Sequence, residues 1–206
     1  EFLARRPMPA FLSGMARGML PAAHPCAFSR SRRNALGRAD VVLLLGTPFD
    51  FRLDYGREPT FPAGVKIVQV DLDGATVGRN RGVEVGLVAD SGLALRALGQ
   101  SLAPRAAGEW VAEVRGQEDA RREKMRAEMA SDDSPINPLR LCAEIDRFVE
   151  DDTIVIGDGG DFVATAASVL RMRPPGLWMD PGPLGTLGVG PGYAMAAKLA
   201  RPASRV

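Results

Sequence analysis

PGPLGTLGVGPGYAMAAKLA, from Pro181 to Ala200, is the stretch on which the reading of this chain turns. Five glycines and three prolines run directly into an apolar, Ala-rich segment with helical spacing. A loop so poor in side chains brings backbone close to a ligand or to another backbone. The spacing predicts a helix from Gly192 to Ala200, whose first free N–H groups aim at that same place. Leu177-Trp-Met-Asp180, just before the loop, reads as short and extended.

Working backwards, Thr153-Ile-Val-Ile-Gly157 is a buried-strand pattern, Asp158-Gly-Gly-Asp161 follows it at once, and Phe162 to Met172 reads as helix. Asn137-Pro138 opens another helix, with Asn as N-cap and Pro at the first helical position. Leu139, Leu141, Cys142, Ile145 and Phe148 give that helix an apolar face. Upstream, Glu118 to Glu128 is charged all round, with acid–base pairs at helical spacing, and reads as a solvated connecting helix. The turn Ser131-Asp-Asp-Ser-Pro closes this stretch, which makes 104–135 an interdomain linker between a domain at 1–103 and a second one beginning at 136 and running to 206.

The first half repeats the strand–helix alternation. Pro9-Ala-Phe-Leu-Ser is a short strand pattern, and Ser31 to Arg38 a helix. Asp40-Val-Val-Leu-Leu-Leu-Gly46 is a continuous apolar run that suits a strand covered on both faces of a parallel sheet. Val65–Asp71 and Val85–Asp90 are the next strands, and Gly92 to Leu102 the helix after them. Alternation of this kind predicts an α/β fold of βαβ units with right-handed crossovers, one parallel-sheet domain followed by the first part of a second.

Composition narrows the function classes. The chain has 206 residues, 46% of them hydrophobic, and a formal net charge of +1. That balance supplies a sizeable core and argues against general electrostatic attraction to nucleic acid or membranes. No apolar run is long enough to span a bilayer, and no signal peptide is recognisable. Cys26 and Cys142 lack metal-ligand spacing and read as buried, idle thiols; His24, in a Pro/Ala loop, reads as solvated or locally bonded. The chain opens at Glu1 without Met and closes on RPASRV, an apparent entry to a strand, so an internal piece of a longer protein is expected.

Two places carry candidate chemistry. The Gly159-Gly160-Asp161 turn between strand and helix has the make-up of a phosphate site: free N–H groups, a positive dipole end and glycines for close approach. It is equally compatible with chain reversal, with Asp161 as N-cap. The cluster from Gly185 to Gly192 has the spacing G-x-x-G-x-G-x-G, which is not a dinucleotide fingerprint. It fits either tight helix–sheet packing or a backbone wall against a flat ring, with Leu187 as the apolar contact. In the first half, Gly46 and Thr47, Asp71 and Asp90 fall at strand ends, where α/β proteins bind ligands. Each acid there suits a ribose hydroxyl or an ordinary cap.

Three segments together, GTPFDFRLDYG at 46–56, IVIGDGGDFVATAA at 154–167 and PGPLGTLGVGPGYAMAAKLA at 181–200, resemble the thiamine-diphosphate-dependent enzymes of the acetolactate synthase and 2-hydroxyacyl-CoA lyase group. The GMARG, DFRL-YGR and GGDFV-TAA wording is most similar to the acetolactate synthase-like, or 2-hydroxyacyl-CoA lyase 2, branch. The resemblance implies a Rossmann-like central domain followed by the start of the cofactor-binding domain. It implies that Gly159, Gly160, Asp161 and Phe162 contact the diphosphate of thiamine diphosphate, and that the Gly185 carbonyl holds the 4′-amino group of its aminopyrimidine. Thr186 lies between that carbonyl and Leu187, the apolar wedge that bends the cofactor into a V and brings the amino group near the thiazolium C2. The group also uses Mg2+, and some relatives hold FAD or ADP in the central domain, which would lie near Gly46, Thr47, Asp71 and Asp90.

The implied reaction is cleavage of a 2-hydroxyacyl-CoA to an aldehyde and formyl-CoA. Acetolactate synthesis from a 2-oxo acid, or a catalytically silent nucleotide-binding homologue, are the alternatives. Asp161 departs from the Gln or Asn of many relatives. The metal-binding GDG…N motif would begin a few residues beyond Val206, and the activating glutamate belongs to an N-terminal domain. No catalytic or metal-ligating residue is therefore assigned to this chain, and the segment alone is expected to be inactive. The resemblance further implies a homodimer or homotetramer at full length. It places a bacterial protein in the cytoplasm and an animal one at an endoplasmic-reticulum membrane anchor outside these residues.

Overall fold

A computed structural model describes residues 1–171 and 174–206. In chain order the elements are α1 (Phe2–Arg5), β1 (Ala10–Phe11), β2 (Ala27–Phe28), α2 (Arg32–Leu36), β3 (Val41–Leu45), β4 (Lys66–Asp71), β5 (Val85–Val88), α3 (Ser91–Ser101), α4 (Glu109–Met129), α5 (Pro138–Phe148), β6 (Val155–Ile156), α6 (Gly160–Val169), β7 (Trp178–Met179) and α7 (Gly190–Ala200). They form two compact units: Glu1–Pro9 with Ser31–Val114, and Ala10–Arg30 with Arg115–Val206. Every strand pairing among the described residues is parallel, as βαβ alternation requires. Among the described residues no helix is long and apolar enough to cross a membrane.

The first unit is built on a sheet of order β3-β4-β5. Val42 and Leu44 of β3 and Ile67 of β4 are buried with Phe49 and Phe61. The two rings meet edge to face at 5.2 Å, a favourable quadrupole arrangement. Coverage of β3 is unequal on its two faces: Val42 and Leu44 are buried, Leu43 and Leu45 half-buried, and Val41 at the strand start is 58% exposed. The Phe49–Phe61 cluster packs on the face of Val42, Leu44 and Ile67, and Val70 of β4 is fully buried on the other face, so the apolar run serves both sides of the sheet to different degrees. Gln69, fully buried in β4, is satisfied by the Thr47 carbonyl at 3.4 Å and the Gly78 N–H at 2.9 Å. It thereby ties the loop after β3 to the sheet.

In the second unit β6 and β7 pair with Val155 opposite Trp178 and Ile156 opposite Met179. α6 follows β6 and α7 follows β7. Two arginines from the Ala10–Arg30 segment serve the C-terminal end of α6. Arg17 Nη1 donates to the Ala167 carbonyl at 3.3 Å and Arg30 Nη2 to the Ser168 carbonyl at 2.5 Å. Cations at the negative end of a helix satisfy its orphan carbonyls and complement its dipole. Beyond α6, Met172 of the expected helix lies outside the described residues.

α4 is solvated from 119 to 124, as its charge run predicts, and Glu118 is the exception. Glu118 is 1% exposed, and its carboxylate accepts from the Ser29 and Arg30 N–H groups and the Ser29 hydroxyl at 2.9–3.1 Å. The Arg30 guanidinium lies 3.6 Å away. Burial pushes the Arg30 pKa down and the Glu118 charge pushes it back up. In α5 the Asn137 side chain accepts from Leu139 N–H at 2.8 Å, as the Asn-Pro opening predicts. Cys142 is fully buried there, but Leu141, Ile145 and Phe148 stay exposed, so only part of the apolar face is used. Cys26 is buried as well, both thiols are free, and His24 Nδ1 accepts from the Cys26 N–H.

Candidate functional site

Parallel pairing of β6 with β7 sends both following loops out of the same edge of the second unit. The ladder continues one step past the strands, Gly157 N–H donating to the Met179 carbonyl at 2.9 Å. The chain then diverges into the 158–160 turn on one side and the 180–189 loop on the other.

The turn is shaped by glycine. Gly159, the N-cap of α6, has φ 99° and ψ −177°, a conformation essentially reserved for glycine. Having no side chain, it leaves the leading N–H groups of α6 without a side-chain cap. Asp161 is therefore not the N-cap; it sits inside the first turn. Gly160 has φ 69°, and nothing lies within 4 Å of where its Cβ would be. Phe162 is exposed just beyond.

The second loop begins with the 3-10 turn Gly182–Leu184 and reaches Gly185, which is left-handed at φ 62°, ψ 22°. Thr186 and Leu187 follow, both exposed, Leu187 by 70%. α7 starts at Gly190, two residues earlier than the apolar spacing predicts, because Pro191 takes its first turn.

These two loops meet. A Cβ on Gly159 would stand 2.6 Å from Leu187 Cδ2 and 3.3 Å from the Thr186 carbonyl. One on Gly190 would stand 3.1 Å from Cβ, Cγ and Oδ2 of Asp158. The structure thus brings Gly159 together with Thr186 and Leu187, residues 27 and 28 positions apart in sequence. Open space beside Gly160, an uncapped helix start and an exposed leucine next to a left-handed glycine form a cradle with one polar and one apolar side. A diphosphate joined to a flat ring fits it: the N–H groups and positive dipole end suit the anion, and Leu187 suits the ring. Asp158 and Asp161 are acidic neighbours, so a cation beside the diphosphate would relieve their repulsion. Among the described residues no group of three or more His, Cys, Asp or Glu side chains gathers to hold one.

Sequence reasoning missed Asp158 and Gly190 as partners, and Asp180 and Trp178 as supports. Asp180 accepts from Trp178 Nε1 and from Gly182 N–H, both at 2.8 Å. The Asp-Pro-Gly order was a readable turn signal; the indole contact had none.

In the first unit the strand ends at Gly46, Asp71 and Asp90 share one sheet edge. Gly46 has φ 58°, and a Cβ there would stand 3.5 Å from Ser91 Oγ. Asp90 caps α3 by accepting from Leu93 N–H at 2.8 Å, Asp71 accepts from Asp73 N–H at 3.0 Å, and the Thr47 hydroxyl donates to the Leu45 carbonyl. Each of these side chains has a local bond.

Residues 1–98 match the family model for the thiamine pyrophosphate enzyme, central domain, and residues 158–206 match that for its C-terminal TPP binding domain. The acetolactate synthase large subunit of Mycobacterium tuberculosis is 41% identical over 206 residues, which are 100% of this chain and 37% of that protein. The 2-hydroxyacyl-CoA lyase 2 of Xenopus laevis is 40% identical, over 97% of this chain and 33% of its own length. The Homo sapiens 2-hydroxyacyl-CoA lyase 2 is 37% identical, over 97% of this chain and 32% of its own length. The chain spans about a third of the length of the curated relatives it matches.

Proposed function

The chain belongs to the thiamine pyrophosphate enzymes, and we propose that it is part of a thiamine-diphosphate- and magnesium-dependent carbon–carbon lyase that cleaves a 2-hydroxyacyl-CoA to an aldehyde and formyl-CoA. The observation that carries the reading is the meeting of Gly159 with Thr186 and Leu187 on one edge of the β6–β7 pair. When bound, thiamine diphosphate supplies a nucleophilic carbon for the substrate carbonyl and an acceptor for the electron pair of the broken bond.

In this reading the start of α6 binds the diphosphate, with Gly159 and Gly160 admitting it to the backbone and Asp161 and Phe162 bordering it. The Gly185 carbonyl accepts a hydrogen bond from the aminopyrimidine amino group, next to Thr186. Leu187 would give the ring an apolar contact and exclude water from its own side. Magnesium ligands and the proton-transferring acid are assigned to residues outside this chain, and the working protein to a homodimer or homotetramer. Its compartment would follow its source, the cytoplasm in a bacterium or an endoplasmic-reticulum anchor in an animal. FAD or ADP at the Gly46 edge is a weaker part of the reading, because Thr47, Asp71 and Asp90 already make local bonds.

Acetolactate synthesis by joining two pyruvates with loss of carbon dioxide is the second reading, favoured by the 41% identity to the M. tuberculosis subunit. Supplying the full-length protein, thiamine diphosphate and Mg2+ with a 2-hydroxyacyl-CoA and, separately, with pyruvate separates the two. Formyl-CoA supports the lyase and acetolactate the synthase. Neither product would leave the catalytically silent homologue.

A further inference from the structure

Asp180 stands at the exit of β7, and its two carboxylate oxygens point to different parts of the fold. Oδ2 accepts from the indole Nε1 of Trp178, behind it in the strand, at 2.8 Å. Oδ1 accepts from Gly182 N–H, ahead of it in the loop, also at 2.8 Å. The indole is itself fixed. It is buried against Ala167 and Leu170, and the Arg17 guanidinium lies 5.1 Å from its ring centroid. A charged acceptor with two donors is a stronger tether than a neutral one, and it defines the direction in which the chain leaves the strand. That direction sets the Gly182–Leu184 turn, the left-handed Gly185 at its end and Leu187 two residues later.

We propose that Asp180 is a positioning residue for the ring half of the cofactor site. Through Trp178 and Gly182 it holds Gly185 and Leu187 at their distance from the start of α6, while taking no part in holding the diphosphate. This inference rests on the thiamine-diphosphate reading above. It distinguishes the two halves of the cradle: the N–H groups of α6 are oriented by their own helix, whereas Leu187 meets the ring only if the 182–188 loop leaves β7 in one direction. Asp180→Asn keeps the shape but turns an amide N–H toward one of the two donors. Trp178→Phe removes one donor and keeps a ring for Arg17.

The test compares affinities of the full-length protein, in Mg2+, for thiamine diphosphate and for inorganic pyrophosphate, which carries only the anionic half. Titration calorimetry on wild type, Asp180→Asn and Trp178→Phe is expected to show thiamine diphosphate weakened about tenfold in Asp180→Asn and less in Trp178→Phe. Pyrophosphate should bind all three proteins alike. A loss shared equally by both ligands would overturn the inference in favour of a general structural role, and unchanged thiamine diphosphate affinity in both variants would overturn it outright. Wild-type protein that binds pyrophosphate but not thiamine diphosphate would overturn the cofactor reading itself, and this inference with it.

Discussion

Replacing Gly159 by alanine puts a methyl group 2.6 Å from Leu187 Cδ2 on a backbone at φ 99°. Leu187 is exposed and its side chain can swing away, so the clash alone is cheap. The backbone cost stays, at about 1–3 kcal/mol for a non-glycine residue in that region. Gly160→Ala meets no neighbour and carries only left-handed strain of about 1–2 kcal/mol. We therefore expect both variants to lower the urea midpoint, and Gly159→Ala to shift Leu187 as well, seen as weakened thiamine diphosphate binding beyond any loss for pyrophosphate. Equal stability of wild type and Gly159→Ala would contradict the geometry. At this scale the sequence was legible where a residue type has few uses: two glycines between a strand and a helix announced the turn. Asp161 was misplaced as a possible cap because an aspartate near a helix start is common, and only the φ of Gly159 shows which residue caps. The contact of Asp158 with Gly190 left no local signal, since it is made across 32 positions of chain.

Among the elements, α4 is the solvated helix its charge run predicts, with one buried exception. Its apolar spacing is weak, yet Glu118 is buried because three donors of the Ser29–Arg30 segment converge on its carboxylate. Two of those donors are backbone N–H groups, which every residue but proline carries, so no sequence pattern announces them. Removing the acid strands those donors and leaves the half-buried Arg30 without its counter-charge. Glu118→Ala is expected to lower stability by about 3 kcal/mol, and Glu118→Gln by less because one acceptor survives. Chemical denaturation of both variants checks this; losses below about 1 kcal/mol for Glu118→Ala would mean that the buried pair contributes little. The strands were easier to read. β3, β4 and β5 fall inside their apolar runs because parallel strands draw on β-branched and aliphatic residues, whereas coverage of their faces depends on what packs above them.

Across the whole molecule, the parallel topology and the family membership agree, and the burial pattern makes a further prediction. Both cysteines are buried, and burial pushes the Cys142 thiol above its ordinary pKa. A raised thiol pKa keeps the unreactive protonated form in place at neutral pH. Iodoacetamide at pH 7.5 should label neither cysteine in the native protein and both in denaturant, by intact mass; rapid native labelling of Cys142 would contradict its placement in α5. In the proposed function the loops after β6 and β7 form one cradle for thiamine diphosphate, with Leu187 as the apolar contact of its ring. Because Leu187 is exposed, Leu187→Asp leaves the core intact while placing a charge where an apolar contact is required. Calorimetric titration of the full-length protein with thiamine diphosphate tests this most directly. Saturable binding by wild type, weakened at least about tenfold in Leu187→Asp at an unchanged melting temperature, is the predicted result. Equal affinity in the two proteins would contradict it.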